Sequence, residues 1–348
     1  MKKVLFVASP YMGLFKDIQR GLMDLGFSVE MIIQKSFPNN PYSVLHKKTS
    51  ESRINEFQTV LLDYWRGLLE GRPDDSLFFD YLLVINGLSI HPYLFEKLKE
   101  VNKEIKLYNY IYDRIKGVYQ IDGNFKYYDD IYTFDCGNVE EYNLKLLPIF
   151  WVPVTDKLSM VYDVFAFGGI DPIRADVFKR IKALSDKTKL CSFIKIYHSE
   201  VKDPILYSLR RIAKYVLQGR KSPSLKELRS ELYTRESMDT DLFRTYINSS
   251  RVTIDTNHPY QDGLTARFMW ALGAGKKIIT NNKNVERYDF YTKEQILILD
   301  DTVTDQDIIE FIQSENDIPR NTSILVEKYR IDNWLKTVLN LKEIDYRW

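Results

Sequence analysis

The sequence predicts an α/β protein of two Rossmann-like domains, each a mainly parallel sheet flanked by helices, facing one another across a cleft. Three observations predict it. Short β-branched or aromatic runs alternate with amphipathic stretches through the first half of the chain. That alternation breaks at Pro148–Ser159, where "PIFWVPVTDKLS" carries two prolines and no period. A second alternation then begins and runs nearly to the end. At 348 residues the chain is also too long for one ordinary core, so two domains of about 150 residues each are expected.

The elements follow in order. Lys3–Ala8 reads as a strand, and Leu14–Leu25 has helical apolar spacing that stops at Gly26. Ser28–Ile33 is a second strand, and 51–69 a long helix ended by Gly71-Arg72-Pro73. "YLLVING" is a continuous apolar run, suited to a central parallel strand buried on both faces. A helix over about 92–102 and strands at "KLYNYIY" and "DIYTFD" complete the first set. After the break come the strand "VYDVFAFGG", a helix from Pro172 to Leu184, and the strand "LCSFIKIY". Helices at about 203–218 and 239–248 precede the strand "RVTID", a helix after Gly263, and the strands "KKIIT" and "QILIL". The end is helical. The expected boundaries are 1–152 for the first domain, 160–330 for the second and 331–348 for a helical tail. Strand–helix–strand units of this kind wind right-handedly and gather ligands beyond the carboxyl ends of their strands.

Composition excludes several classes. Formal net charge is +1 with 28% charged residues, so no global field draws the chain to nucleic acid. Cys136 and Cys191 make no disulfide framework, and no Cys/His metal-ligand spacing appears. "MKKVLFVASPYMG" has a short apolar run without a cleavage signal and reads as the first strand, not a leader. Nothing approaches the roughly 20 apolar residues of a membrane span. A soluble, cytoplasmic protein is expected. The 24 tyrosines suit core edges with wet hydroxyls, and would also suit a carbohydrate-handling surface.

The most informative stretch is "RVTIDTNHPYQDGLTARFMWALGAGKKIIT". A strand ends at Asp255, and a helix starts after Gly263. Gly263 would let backbone approach a ligand closely, and the N–H groups of Leu264 and Thr265 are orphan donors at a positive helix end. Thr265 adds a hydroxyl and Arg267 a guanidinium suited to phosphate oxygens. On the residues alone, an ordinary loop with Asp262 as N-cap and Arg267 on a surface helix fits equally.

The same stretch resembles the C-terminal signature of bacterial polysaccharide and lipopolysaccharide biosynthesis glycosyltransferases of the GT-B fold. The matching residues are Asp255, His258, Pro259, Gln261, Gly263, Leu264, Thr265 and Arg267, then Gly275, Lys276, Lys277, Ile279, Thr280 and Asn281, and finally Tyr288 to Tyr291. "YIYDRIKG", "YTFDCGNVEEYNLKLLPIFW" and "VFAFGGID" extend it weakly. The resemblance implies a GT-B-like pair of domains, the second binding a nucleotide sugar and the first receiving the acceptor. By it, the donor site draws on Asp255, His258, Gln261, Gly263, Leu264, Thr265, Arg267, Lys277 and Asn281, with Lys276 a further assistant. The implied activity moves a sugar onto a cell-surface polysaccharide or lipopolysaccharide precursor, with the donor as substrate, no cofactor and no metal. One residue departs: where the family carries a glutamate before the Ala-Leu pair, Trp270 stands, whose N–H donates and cannot accept sugar hydroxyls. That leaves a non-catalytic nucleotide-sugar-binding subunit as an alternative, beside a nucleotide-sugar epimerase of similar fold.

Glycosyl transfer needs a base for the acceptor and charge compensation on the leaving diphosphate. Asp113 follows "KLYNYIY" and Asp135 closes "DIYTF", so both fall at the carboxyl edge of the first sheet and are the catalytic candidates; His91 is a third option. Helix capping or loop hydrogen bonding is the commoner role for each, most of all for His91. Asp239-Thr240-Asp241 has D-x-D spacing, but it opens an amphipathic helix and reads as capping. Arg210, Arg211, Lys214, Arg220, Lys221, Lys226 and Arg229 crowd one segment, a solvated face or a surface for the inner membrane leaflet carrying a lipid-linked acceptor.

Overall fold

The computed structural model describes residues 1–9, 13–34, 37, 51–115, 121–154, 159–198, 204–224, 226–258, 261–315 and 320–342. Residues 155–158 of the expected linker, Pro259 of the motif and the tail beyond 342 lie outside the described residues. The chain forms two compact units. The first contains Met1–Phe150, Tyr260–Gly263 and Lys328–Tyr346, and the second Trp151–Pro259, Leu264–Glu327 and Arg347–Trp348.

In the first unit the elements run β1 Lys3–Ala8, α1 Leu14–Asp24, β2 Ser28–Ile33, α2 Glu51–Leu69, α3 Asp74–Leu77, β3 Tyr81–Ile85, α4 Pro92–Val101, β4 Lys106–Ile111, β5 Asp130–Thr133, α5 Cys136–Tyr142 and β6 Lys145–Leu146. The six strands form one sheet in the order β2-β1-β3-β4-β5-β6, and every pair is parallel. Parallel strands covered on both faces should be apolar throughout, and β3 is buried at all five positions. Leu5, Val7, Leu82, Val84 and Leu107 meet Trp65, Leu94, Phe95 and Leu98 from α2 and α4 in one core.

The second unit runs β7 Tyr162–Gly169, α6 Pro172–Thr188, β8 Ser192–Tyr197, α7 Pro204–Leu217, β9 Tyr233–Thr234, α8 Thr240–Asn248, β10 Ser250–Asp255, α9 Ala266–Gly273, β11 Lys277–Thr280, β12 Ile296–Ile298, α10 Asp305–Gln313 and α11 Arg320–Glu327. Its sheet is again wholly parallel, in the order β12-β11-β10-β7-β8-β9. Numbered from its own first strand this is the 3-2-1-4-5-6 order of dinucleotide-binding sheets, with the reversal between β7 and β10. Two Rossmann-like sheets with flanking helices are therefore present, as the alternation predicted. The short strands β6 and β9 and the helix α5 have no periodicity long enough to read from sequence.

The last helix, α12 Ile331–Val338, belongs to the first unit. Its Trp334 is fully buried, edge-on to Tyr110 at 4.7 Å and Phe150 at 5.0 Å between ring centres. Gly21 of α1 permits this docking, because a Cβ there would lie 2.7 Å from Leu335 Cδ1. Trp334→Ala should cost about 3–5 kcal/mol, the range for emptying a large aromatic site in a core. Denaturant titration of the full chain measures it, and a loss under about 1 kcal/mol would show that α12 is not part of that core.

Candidate functional site

At the reversal in the second sheet, β7 ends in Phe167-Gly168-Gly169 and β10 in Asp255-Thr256. Two arginines from different helices converge there. Arg174, in the first turn of α6, donates from Nε to Thr256 Oγ1 at 2.9 Å and from Nη1 to the Gly169 carbonyl. Arg267, in the first turn of α9, donates from Nε to Asp255 Oδ1 at 3.2 Å and from Nη2 to the Thr256 carbonyl at 3.1 Å. Gly168 makes the room: a Cβ at that position would lie 2.7 Å from Arg174 Nε and 2.8 Å from Arg267 Nη1. Alanine at 168 would therefore push both guanidinium groups aside.

Asp255 is the counter-charge. It is 2% exposed and accepts from Arg267 and, at 2.8 Å, from the Thr265 hydroxyl. Thr265 is also the N-cap of α9, its Oγ1 accepting from Phe268 N–H at 3.2 Å. Among the described residues, the N–H groups of Leu264, Thr265, Ala266 and Arg267 have no protein acceptor. Two guanidiniums, the Asp255 carboxylate and the start of α9, where the helix dipole is positive, meet at the reversal point. Such a place holds an anion whose oxygens accept from amides and guanidinium N–H groups.

Several expected roles change in detail. Thr265 spends its hydroxyl on Asp255 and on capping, and Asp262 is not the cap. Arg267 is part-buried and ion-paired, not solvated, and three of its N–H groups already serve the protein. Leu264 is 1% exposed, so its side chain is core and only its amide faces outward chemistry. His258 Nε2 stands 4.0 Å from Asp171 Oδ2. Asn281 accepts from the Asn257 N–H at 2.7 Å, joining the ends of β10 and β11. Gln261 is half-buried.

Gly263 does allow a close approach, but to protein. Its segment belongs to the first unit, where a Cβ on Gly263 would sit 2.2 Å from the Phe134 carbonyl oxygen. Beside it, Arg114 Nη1 bridges Asp135 at 2.9 Å and Asp262 at 2.8 Å, and Asp262 N–H donates to Asp135 Oδ2 at 2.8 Å.

The adjacent lysines of "GAGKK" do other work. Lys276 Nζ donates to the Asn248 carbonyl at 2.7 Å, at the end of α8. Lys277 is 1% exposed, and its amine donates to the Phe311 carbonyl and to Ser314 at the end of α10. Each ammonium completes the unsatisfied carbonyls of a helix C-terminus, where positive charge is favoured. Burial lowers the Lys277 pKa to about 8, which still leaves it protonated at neutral pH. Tyr288 and Phe290 are likewise core residues, stacked at 5.3 Å. Trp270 is 3% exposed; its ring meets Phe243 at 5.7 Å and the Arg244 guanidinium at 5.6 Å. It lines a cavity of about 240 Å3 with Trp151 and Gly273. The indole is thus taken up by the packing of α9 on α8. Asp239 caps α8 through Leu242 N–H at 2.8 Å, and Asp241 pairs with Arg244.

In the first unit, Asp113 and Asp135 differ sharply. Asp135 is fully buried, caps α5 through Asn138 N–H, and takes donors on both oxygens. That is the position of a capping and ion-pair carboxylate, closed to an acceptor. Among the described residues, the Asp113 carboxylate has one hydrogen bond, from Asn86 Nδ2 to Oδ2 at 3.0 Å. Asn86 adopts a left-handed φ of 61°, and its Oδ1 accepts from Tyr112 N–H, so it ties the ends of β3 and β4 together. Asn138 Nδ2 holds the Asp113 backbone carbonyl at 2.8 Å. Burial pushes the Asp113 pKa up to about 6 against the pull of Asn86, which suits proton transfer near neutrality. His91 serves as the cap of α4 through Tyr93 N–H. The sequence reading missed Arg174, Asn86 and Asn138; each is one common polar residue whose partner lies far along the chain.

No protein-family model matches the chain, and no curated protein matches it in sequence. Solved structures do match in fold. OtsA in its apo structure superposes with a TM-score of 0.57 at 12% identity, over 99% of this chain and 100% of that one. Sucrose-phosphate synthase from Thermosynechococcus elongatus gives 0.54 at 11% identity, over 98% of both chains. MnaA from S. aureus, in a structure with UDP, gives 0.51 at 12% identity, over 100% of both. The fold is therefore that of the GT-B class, with two Rossmann-like domains.

Lys277→Met should lower thermal stability, by about 2 kcal/mol for a charged donor shared among buried acceptors, while leaving nucleoside diphosphate affinity unchanged. Paired melting and titration experiments separate the two, and a large affinity loss at full stability would return Lys277 to the ligand.

Proposed function

We propose that the protein is a glycosyltransferase that moves a sugar from a nucleotide-sugar donor to a cell-surface polysaccharide or lipopolysaccharide precursor, in the cytoplasm. The observation that carries the reading is the convergence of Arg174 and Arg267 on Gly168, at the strand reversal of the second sheet, beside unclaimed N–H groups at the start of α9. A diphosphate presents the charge and the oxygens that guanidinium groups and helix-start amides bind. The GT-B fold and the motif from Asp255 to Asn281 support a nucleotide sugar as its source, and the UDP in the MnaA structure makes uridine the first base to test.

In this reading the Asp113 carboxylate takes the proton of the acceptor hydroxyl, whose oxygen attacks the anomeric carbon. The bond from that carbon to the diphosphate oxygen breaks, and Arg174, Arg267 and the α9 amides take up the charge. The leaving group is compensated by protein cations, with no divalent metal. Among the described residues no group of three or more His, Cys, Asp or Glu side chains could hold a metal ion, and none of their helices is long and apolar enough to cross a membrane.

Titration with nucleoside diphosphates tests the donor side. Arg174→Gln should weaken UDP binding by about 10- to 100-fold, the worth of a charge-assisted contact. Asp239→Ala should leave it unchanged, and transfer should persist in EDTA. The reverse pattern would move the site to the D-x-D aspartates.

Asp113→Asn tests the chemistry. It should cost about 100-fold or more in kcat with UDP affinity retained. In the parent protein kcat/KM should fall as pH drops below about 6, because the raised pKa protonates the base there. The same raised value means the folded state takes up a proton between the unfolded and folded pKa values, so ionising Asp113 opposes folding. The Asn variant should therefore keep its stability at neutral pH. Nucleotide binding without turnover in the parent protein would identify a binding subunit, and an epimerised nucleotide sugar as product would identify an epimerase.

A further inference from the structure

Helix α7 leaves one apolar face uncovered. Leu209, Ile212, Val216 and Leu217 are 58%, 44%, 65% and 86% exposed. Their spacing of three, seven and eight from Leu209 puts them on one stripe. The other side of the helix is anchored: Tyr215 is 2% exposed and sits in the core with Phe178, Ile196 and Tyr233. The helix is therefore held to its unit by one face and offers aliphatic side chains on another.

Charge selects what covers that stripe. Residues 204–229 contain seven Lys or Arg and one Glu, while the whole chain balances 49 against 48. Glu227 is paired with Lys179 and Arg220 with Asp176, whereas Lys221, Lys226 and Arg229 are exposed. A second copy docking through the same face would bring two such basic segments together, which like-charge repulsion opposes. A nucleic-acid backbone would leave the aliphatic stripe wet. An anionic lipid surface satisfies both features, burying the stripe at the headgroup boundary and neutralising the flanking charge.

We propose that α7 lies in the interface of an anionic bilayer, with Leu209, Ile212, Val216 and Leu217 inserted and the 220–229 basic segment on the headgroups. The inference extends the reading above to the surface that carries a lipid-linked acceptor, and rests on that reading only for its biological sense. Binding needs neither donor nor acceptor.

The test is co-sedimentation of the full chain with vesicles of phosphatidylcholine alone and of phosphatidylcholine mixed with phosphatidylglycerol, at physiological salt. Binding is expected only to the mixed vesicles. Leu209→Gln/Val216→Gln/Leu217→Gln should weaken it at least about tenfold, since burying aliphatic groups is lost. Lys221→Gln/Lys226→Gln/Arg229→Gln should weaken it by roughly fivefold per charge removed, and high salt should do the same to the parent chain. Melting curves show that both variants fold, as exposed substitutions should. Failure of the folded parent chain to sediment with the mixed vesicles overturns the inference, as does undiminished binding by the apolar variant. Sedimentation equilibrium showing a dimer that the apolar variant dissolves would assign the stripe to a second copy instead. Vesicle binding without any response to nucleoside diphosphates would leave this inference standing and remove the transferase reading. Donor turnover without vesicle binding would do the opposite.

Discussion

A buried carboxylate at the end of β10 sets the geometry of the carboxyl edge of the second unit's sheet. Asp255 is removed from water, and an ion in that position persists only when paired and hydrogen-bonded. It finds both partners in the next helix: the Thr265 hydroxyl and the Arg267 guanidinium. Those two bonds fix the entry of the chain into α9. They also aim the remaining guanidinium N–H groups along the strand ends toward Thr256 and Phe167. The charge that offsets Arg267 is thus what holds it in place. Arg174 brings a second guanidinium to the same strand ends, donating to Thr256 Oγ1 and the Gly169 carbonyl.

Glycine plays two different parts in this arrangement. Gly168 is required because two guanidinium groups occupy the volume of its missing side chain, so the residue acts through what it lets converge. Gly263 is required because backbone of the first unit occupies that volume. Both fit the same general expectation, that a glycine near a strand end marks close approach. Only the coordinates distinguish an approach that builds a cationic cluster from one that seats a loop on its own protein.

The fold was legible because long signals carry it. Buried parallel strands such as β1 and β3 are apolar at nearly every position, and helices such as α6 and α8 announce themselves by period and by Asp caps. The site was legible only in part. The motif directed attention to Asp255, Thr265 and Arg267, and these do come together, but their mutual bonds change what each offers a ligand. The resemblance gave Lys277, with Lys276 as assistant, to the donor site, whereas their amines end on carbonyls at the ends of α8 and α10. Sequence order cannot say which helix C-terminus a long flexible side chain will reach. Arg174 escaped notice for the opposite reason. Nothing local marks it, and its role arises from the strand order that puts β7 beside β10.

The two aspartates of the first sheet show how environment divides similar residues. Both follow neighbouring parallel strands, and both could cap or catalyse. Asp135 is surrounded by donors: an N-cap amide, the Asp262 amide and the Arg114 guanidinium. A carboxylate so placed is geometrically fixed, which serves the loop it binds. Asp113 is half-buried, and among the described residues its carboxylate takes one amide donor, so its charge is costly and its proton affinity rises toward neutrality. A group that binds its proton loosely enough to release it and firmly enough to take it is what acid–base chemistry requires. The difference comes from Arg114, one residue beyond Asp113 in sequence, which turns its charge away from its neighbour to Asp135 and Asp262.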